Sequence, residues 1–190
     1  MKWYLGVAFG ALSFNSVSDT VNIEAKGNLE ALSPARCVEM AELSNKQSPA
    51  DIFLGVAECL SNKEFDKASE LLLAALAYGK YDTLRVKDKS AHQAISVLRI
   101  NSLSQLSKLE LKEFQSTFAA LMNNPIEKKK LCNKLEKLGI PQYIPKYMIQ
   151  HGISAFTGKD KGLADDFDAR AAWSEVKAEY AKCNYKLTSH

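Results

Sequence analysis

Two polar stretches of this chain carry the side-chain types that acid–base chemistry uses. The first holds Tyr81, Asp82, Arg85 and Asp88 and runs into His92, four residues beyond Asp88. A carboxylate one helical turn from an imidazole can fix the ring in one orientation, which a general base requires. The second places Tyr143, Tyr147 and Gln150 just before His151, with Gly152 after it allowing another backbone to come close. Brought together, His92, His151, Asp82, Asp88 and Arg85 would be the working groups of an envelope hydrolase or lyase. The same residues also fit a structural reading, in which both imidazoles are buried hydrogen-bond partners joining helices and Arg85 pairs with Asp82 or Asp88. No nucleophile stands beside either histidine in a familiar motif, so the structural reading is preferred. Tyr81, Arg85, Tyr143, Tyr147 and Gln150 then become candidate contacts for a partner, with Tyr143 and Tyr147 flanking Pro145 as the preferred pair.

The four cysteines are the other reactive groups. Cys37 and Cys59 each lie eleven residues from Ser48, at the expected turn between the first two helices. Residues equidistant from a hairpin turn face each other, so a Cys37–Cys59 bridge is expected, leaving Cys132 to pair with Cys183. A structural zinc site brings its thiols in close pairs, and these four are spread singly along the chain.

Disulfides need an oxidising compartment, and the amino terminus supplies a route to one. Residues 1–18 combine Lys2, an apolar run from Trp3 to Phe14 and small residues at Ser16 and Ser18, the layout of a secretory signal peptide cleaved near Ser18. The apolar run is far shorter than the roughly 20 residues of a membrane-spanning helix, so no stable anchor is expected after cleavage. A polar leader over 19–32 and a single domain over 33–190 follow. The 25 basic and 22 acidic residues are interspersed, giving a net charge of +3 without the basic stripe of a nucleic-acid binder. The densest basic run, Lys128-Lys129-Lys130, is accompanied by Glu127 and Glu136 and reads as a solvated helix face.

These groups must be positioned by helices, because the apolar spacing has a period near 3.6 almost throughout. An oxygen-bearing cap residue followed by proline marks helix starts at Ser33-Pro34, Ser48-Pro49 and Asn124-Pro125. Ser107 and Glu110 have the spacing of a capping box ahead of a face made by Leu111, Phe114, Phe118, Leu121 and Met122. Met148, Ile149, Gly152, Ile153 and Phe156 predict one further helix stopped by Gly158, and Asp168 is expected to cap the last one. The fold class is all-α: about eight helices in a stack of antiparallel hairpins stapled by disulfides.

Cys59-Leu60-Ser61-Asn62-Lys63-Glu64-Phe65-Asp66-Lys67-Ala68, followed by Leu72 and Ala75, resembles the middle of a tetratricopeptide or Sel1-type repeat. The resemblance covers one hairpin and implies a protein-binding surface. The segments Tyr78–Val86, Ser90–Ala94 and Pro145–Gly152 are similar to a group of exported bacterial helical proteins without an assigned activity. Some small exported helical proteins of this kind are immunity proteins that neutralise delivered toxins.

Two ligand loops are excluded in the segment Thr157–Asp168. Its glycines and Lys159 do not follow a strand, as a phosphate loop requires, and its aspartates do not alternate around a central glycine, as a calcium loop requires. No cofactor is implied. The reading is a periplasmic or secreted, non-catalytic helical module that binds a protein partner.

Overall fold

Ser48 and Pro49 begin the first helix as their chemistry dictates. Ser48 Oγ accepts from the Asp51 amide, the Asp51 carboxylate accepts from the Ser48 amide at 2.7 Å, and Pro49 sits where no donor is needed. The computed structural model describes residues 24–183; the expected signal peptide and its cleavage near Ser18 lie outside the described residues. The helices are α1 (Pro49–Ser61), α2 (Phe65–Arg85), α3 (Ala94–Leu103), α4 (Lys108–Asn123), α5 (Pro125–Leu138), α6 (Lys146–Ile149), α7 (Ser154–Thr157) and α8 (Ala169–Glu175). Short 3-10 turns cover Met40–Glu42 and Lys89–Gln93, and α8 runs on into a π-helical turn, Val176–Tyr180. Among the described residues the β-structure is a single bridge between Val86 and Leu163. The fold is all-α.

The chain turns back after α1 at Asn62–Glu64, where Lys63 takes a positive φ of 60°. The α1–α2 pair is the most extensive helix contact, and α2 is the core of the molecule. It is apolar nearly all round, with Leu71, Ala74, Ala75, Ala77, Tyr78 and Tyr81 buried, which suits a helix enclosed by α1, α4 and the carboxy-terminal helix. Caps set the later boundaries: Ser107 and Glu110 form the expected capping box, Asn124 caps α5, and Asp168 accepts from the Arg170 and Ala171 amides.

Two expected helices are corrected. Ser33-Pro34 starts none; the Ser33 amide donates to Asp51 Oδ1 at 2.6 Å and the Ala35 amide to the Asp51 carbonyl, so this segment is spent on the start of α1. It then lies directly on α1, where a Cβ at Gly55 would fall 2.7 Å from the Arg36 carbonyl oxygen. The helix expected across Met148–Phe156 is broken into α6 and α7. The amides of Ile153 and Ser154 leave the helical ladder and donate to Ser90 Oγ and Asp88 Oδ2 at 2.9 and 2.8 Å. Ile153 and Phe156, on the apolar face that predicted this helix, are exposed.

Both disulfides have the expected pairing, with Cα separations of 4.8 Å for Cys37–Cys59 and 5.6 Å for Cys132–Cys183. The first forms for a different reason from the one anticipated, since Cys37 lies in an irregular segment laid against α1 and not in a partner helix. Such bridges belong to oxidising, extracytoplasmic surroundings. No helix of the described residues is long and apolar enough to cross a membrane.

Candidate functional site

The last turn of α2 places Asp82 and Arg85 on the same side, three residues apart, and both are buried at 0 % and 7 % exposure. Arg85 Nε donates to Asp82 Oδ1 at 2.8 Å, and its Nη2 approaches the same oxygen at 2.7 Å. The other oxygen, Oδ2, accepts from the hydroxyls of Tyr143 at 2.9 Å and Tyr147 at 2.7 Å. Every one of these partners donates, the environment of an ionised carboxylate. Burial pushes the Asp82 carboxyl above its ordinary range, while the Arg85 charge and the two phenols pull it back. Burial lifts both phenols well above the usual tyrosine range, and the Asp82 charge lifts them further, so they remain donors. Burial draws the Arg85 guanidinium down, but Asp82 and Tyr143 overbalance it and leave it raised.

The guanidinium is held between two rings, 4.9 Å from the centre of Tyr81 and 5.0 Å from that of Tyr143. Tyr81 in turn meets Phe167 and Trp173 edge-on. The Nη2 contact with Asp82 is an ion pair whose angles are poor for a hydrogen bond, and Nη2 and Trp173 Nε1 are buried without a hydrogen-bond partner among the described residues. Four of the residues expected to contact a partner therefore turn inward: Tyr81, Arg85 and Tyr147 are buried, and Tyr143 is half-buried with its hydroxyl on Asp82. Gln150 is partly exposed at the end of α6.

The histidines are separately engaged. His92 Nε2 donates to the Val86 carbonyl at 3.0 Å, and His151 Nδ1 lies 2.8 Å from Asn28 Oδ1, the amide oxygen accepting. Burial lowers the His151 pKa against a small upward pull from Glu24. Asp88 is occupied elsewhere: it caps the turn at Lys89–Gln93 through the Ser90 amide and hydroxyl and accepts from the Ser154 amide. Burial alone would raise its carboxyl, but the donors of Ser90 and Ser154 hold it down to about 2. The close approach at Gly152 is made by this carboxylate and not by a backbone; a Cβ there would fall 2.2 Å from Asp88 Oδ2. Among the described residues no group of three or more His, Cys, Asp or Glu side chains is placed to hold a metal ion.

The two phenols pin the surface segment 139–147. Tyr78 donates to the Gly139 carbonyl at 3.0 Å, Asn45 Nδ2 donates to the Ile140 carbonyl, and the Gln142 amide donates to the Asn45 carbonyl at 2.8 Å. Pro145, at φ −75° and ψ 58°, centres an inverse γ-turn closed by the Lys146 amide on the Ile144 carbonyl at 2.7 Å. The tip of this fixed segment presents Ile144 at 73 % exposure. Leu32, at 67 %, lies on the same hollow of about 50 Å³, together with Tyr143, Tyr147, Lys46, Lys146 and Glu30. Sequence inspection missed Leu32, Lys46, Ile144 and Lys146; the available signal was an isoleucine inside the proline-bounded, non-helical run Pro141–Pro145.

Larger clefts lie elsewhere among the described residues: one of about 350 Å³ beside Asp66, Thr117 and Asn124, one of about 320 Å³ beside Met40, Asn45 and Lys134, and two further ones. One of about 290 Å³ lies between residues 29–31, α1 and α3 and is mostly apolar, with Phe53 and Leu98 among its lining. The other, of about 230 Å³, lies between α5 and the carboxy-terminal helix beside Cys132 and Cys183. Comparison of the chain with protein-family models, with curated proteins and with solved structures gives no match.

Proposed function

We propose that the chain is a periplasmic or secreted, non-catalytic protein-binding module, and that its partner docks on the hollow beside Ile144. The observation that carries this reading is a pair of exposed aliphatic side chains, Ile144 and Leu32, held beside a segment whose conformation is fixed from below by Asp82. Apolar groups on a preorganised backbone bind with little ordering cost, which is how a small patch becomes an interface hot spot. Exposed Lys46 and Lys146 at the rim, against Glu30 as the one exposed acid there among the described residues, favour a partner that inserts an aliphatic side chain flanked by carboxylates. The tetratricopeptide-like α1–α2 hairpin is part of the same reading, and its most specific form is neutralisation of a delivered toxin protein.

The test is stoichiometric capture of a protein from envelope and secreted fractions by the tagged, mature chain. Capture should be lost in the double variant Leu32→Asp/Ile144→Asp and kept in Ile100→Asp, which alters an exposed isoleucine on α3. Equal loss, or no loss, in both variants would remove the hollow as the docking site.

A further inference from the structure

The two disulfides differ in how far an attacking group can reach them. Cys59 is fully buried, and its partner Cys37 is half-buried and flanked by carboxylates. Glu64 Oε1 lies 3.5 Å from Cys37 Sγ. A bridged sulfur has no proton to donate, so this is a close approach and not a hydrogen bond. Glu58 Oε2 accepts from the Cys37 amide at 3.3 Å. Glu58 is itself paired with Arg36 and Glu64 with Lys67, so these carboxylates are charge-compensated. The bridge is shielded because Cys59 is fully buried and a thiolate can approach it through Cys37 alone. Cys132 and Cys183 instead both line the open cleft of about 230 Å³, shared with Asn133, Lys177 and the Lys177-paired Glu136. Cys183 is the more exposed of the two, at the end of the described chain.

We propose that Cys132–Cys183 is a thiol–disulfide exchange site for a dithiol reductant, whereas Cys37–Cys59 is a permanent staple. The reductant's thiolate attacks Cys183 Sγ, forming a mixed disulfide as the bond to Cys132 breaks and its electron pair leaves on Cys132 Sγ, which takes up a proton. The reductant's second thiolate then attacks its own bridged sulfur, releasing Cys183 as a thiol and leaving the reductant as a disulfide, two electrons having passed to the protein. Access for the attacking thiolate is what the cleft provides. Reduction unties residue 183 from α5 without undocking the helix before it, because Trp173 and Val176 remain buried in the core. The exchange is therefore local, and the rest of the fold persists.

The test is timed reduction of the native, mature chain with dithiothreitol, followed by trapping with iodoacetamide and peptide mapping by mass spectrometry. Cys132 and Cys183 should be alkylated about tenfold or more ahead of Cys37 and Cys59, with a half-reduced intermediate that keeps its helical circular dichroism. Lys177→Glu, which puts a negative charge at the mouth of the cleft, should narrow that gap by slowing loss of Cys132–Cys183. Reduction of Cys37–Cys59 first, release of all four thiols together, or loss of helicity with the first bridge would each overturn the proposal.

Discussion

Asp82 and Asp88 are six residues apart and do opposite things with a negative charge. Asp82 is enclosed, and burial pushes its carboxyl up; Arg85 and two phenols keep it usable as an acceptor. Asp88 is partly exposed and held down to about 2 by the serine hydroxyls and amides that it caps. The first organises the core and the segment above it, and the second clips α7 onto the turn before α3. A carboxylate near a histidine in sequence is thus spent on structure in both cases, once at high energetic stake and once at low.

The largest effect should come from Asp82→Ala. It leaves the Arg85 guanidinium buried without its counter-charge, and chemical denaturation should show a loss of about 3–5 kcal/mol. Tyr147→Phe removes one donor from the buried carboxylate and should cost about 1.5–3 kcal/mol by the same measurement. Gly152→Ala should cost about 1–3 kcal/mol, because the new methyl meets the Asp88 carboxylate at 2.2 Å and that group cannot move without giving up Ser90 and Ser154. Were Gly152→Ala neutral, the clip between α7 and the turn before α3 would not exist as described.

The smallest effect separates the two aspartates by pH. With its folded-state pKa depressed, Asp88 contributes stability that is fully present above its ordinary range, near 4, and is lost as pH falls toward about 2. Thermal melts of Asp88→Asn should lie below the wild type at neutral pH and converge with it through that window. A constant gap across the window would mean that Asp88 does not act through its charge.

Much of this fold was legible in the sequence because it is locally encoded. Ser48-Pro49, Asn124-Pro125, Ser107 with Glu110, and Asp168 each cap a helix with their own side chain. The cysteine pairing was legible too, although Cys37 reaches Cys59 from an irregular segment. Where a backbone donor found a distant acceptor, local reading failed. Ser33 was claimed by Asp51, and Ile153 and Ser154 were claimed by Ser90 and Asp88 more than sixty residues earlier in the chain. The polar stretches singled out for chemistry do converge, but through the tyrosines on Asp82 and not through the histidines. Nothing in the spacing of Tyr143 and Tyr147 says which way their hydroxyls turn, so residues expected at the surface hold the loop from inside while Ile144 and Leu32 face solvent.

The central claim is that the buried Asp82 carboxylate fixes the segment carrying Ile144, and amide hydrogen exchange on the double variant Tyr143→Phe/Tyr147→Phe tests it most directly. Protection at Gln142, Lys146 and Met148, whose amides are bonded in the native segment, should fall while protection in α1 and the middle of α2 is kept. Unchanged protection at those three amides, or a loss spread evenly over the molecule, would contradict the account.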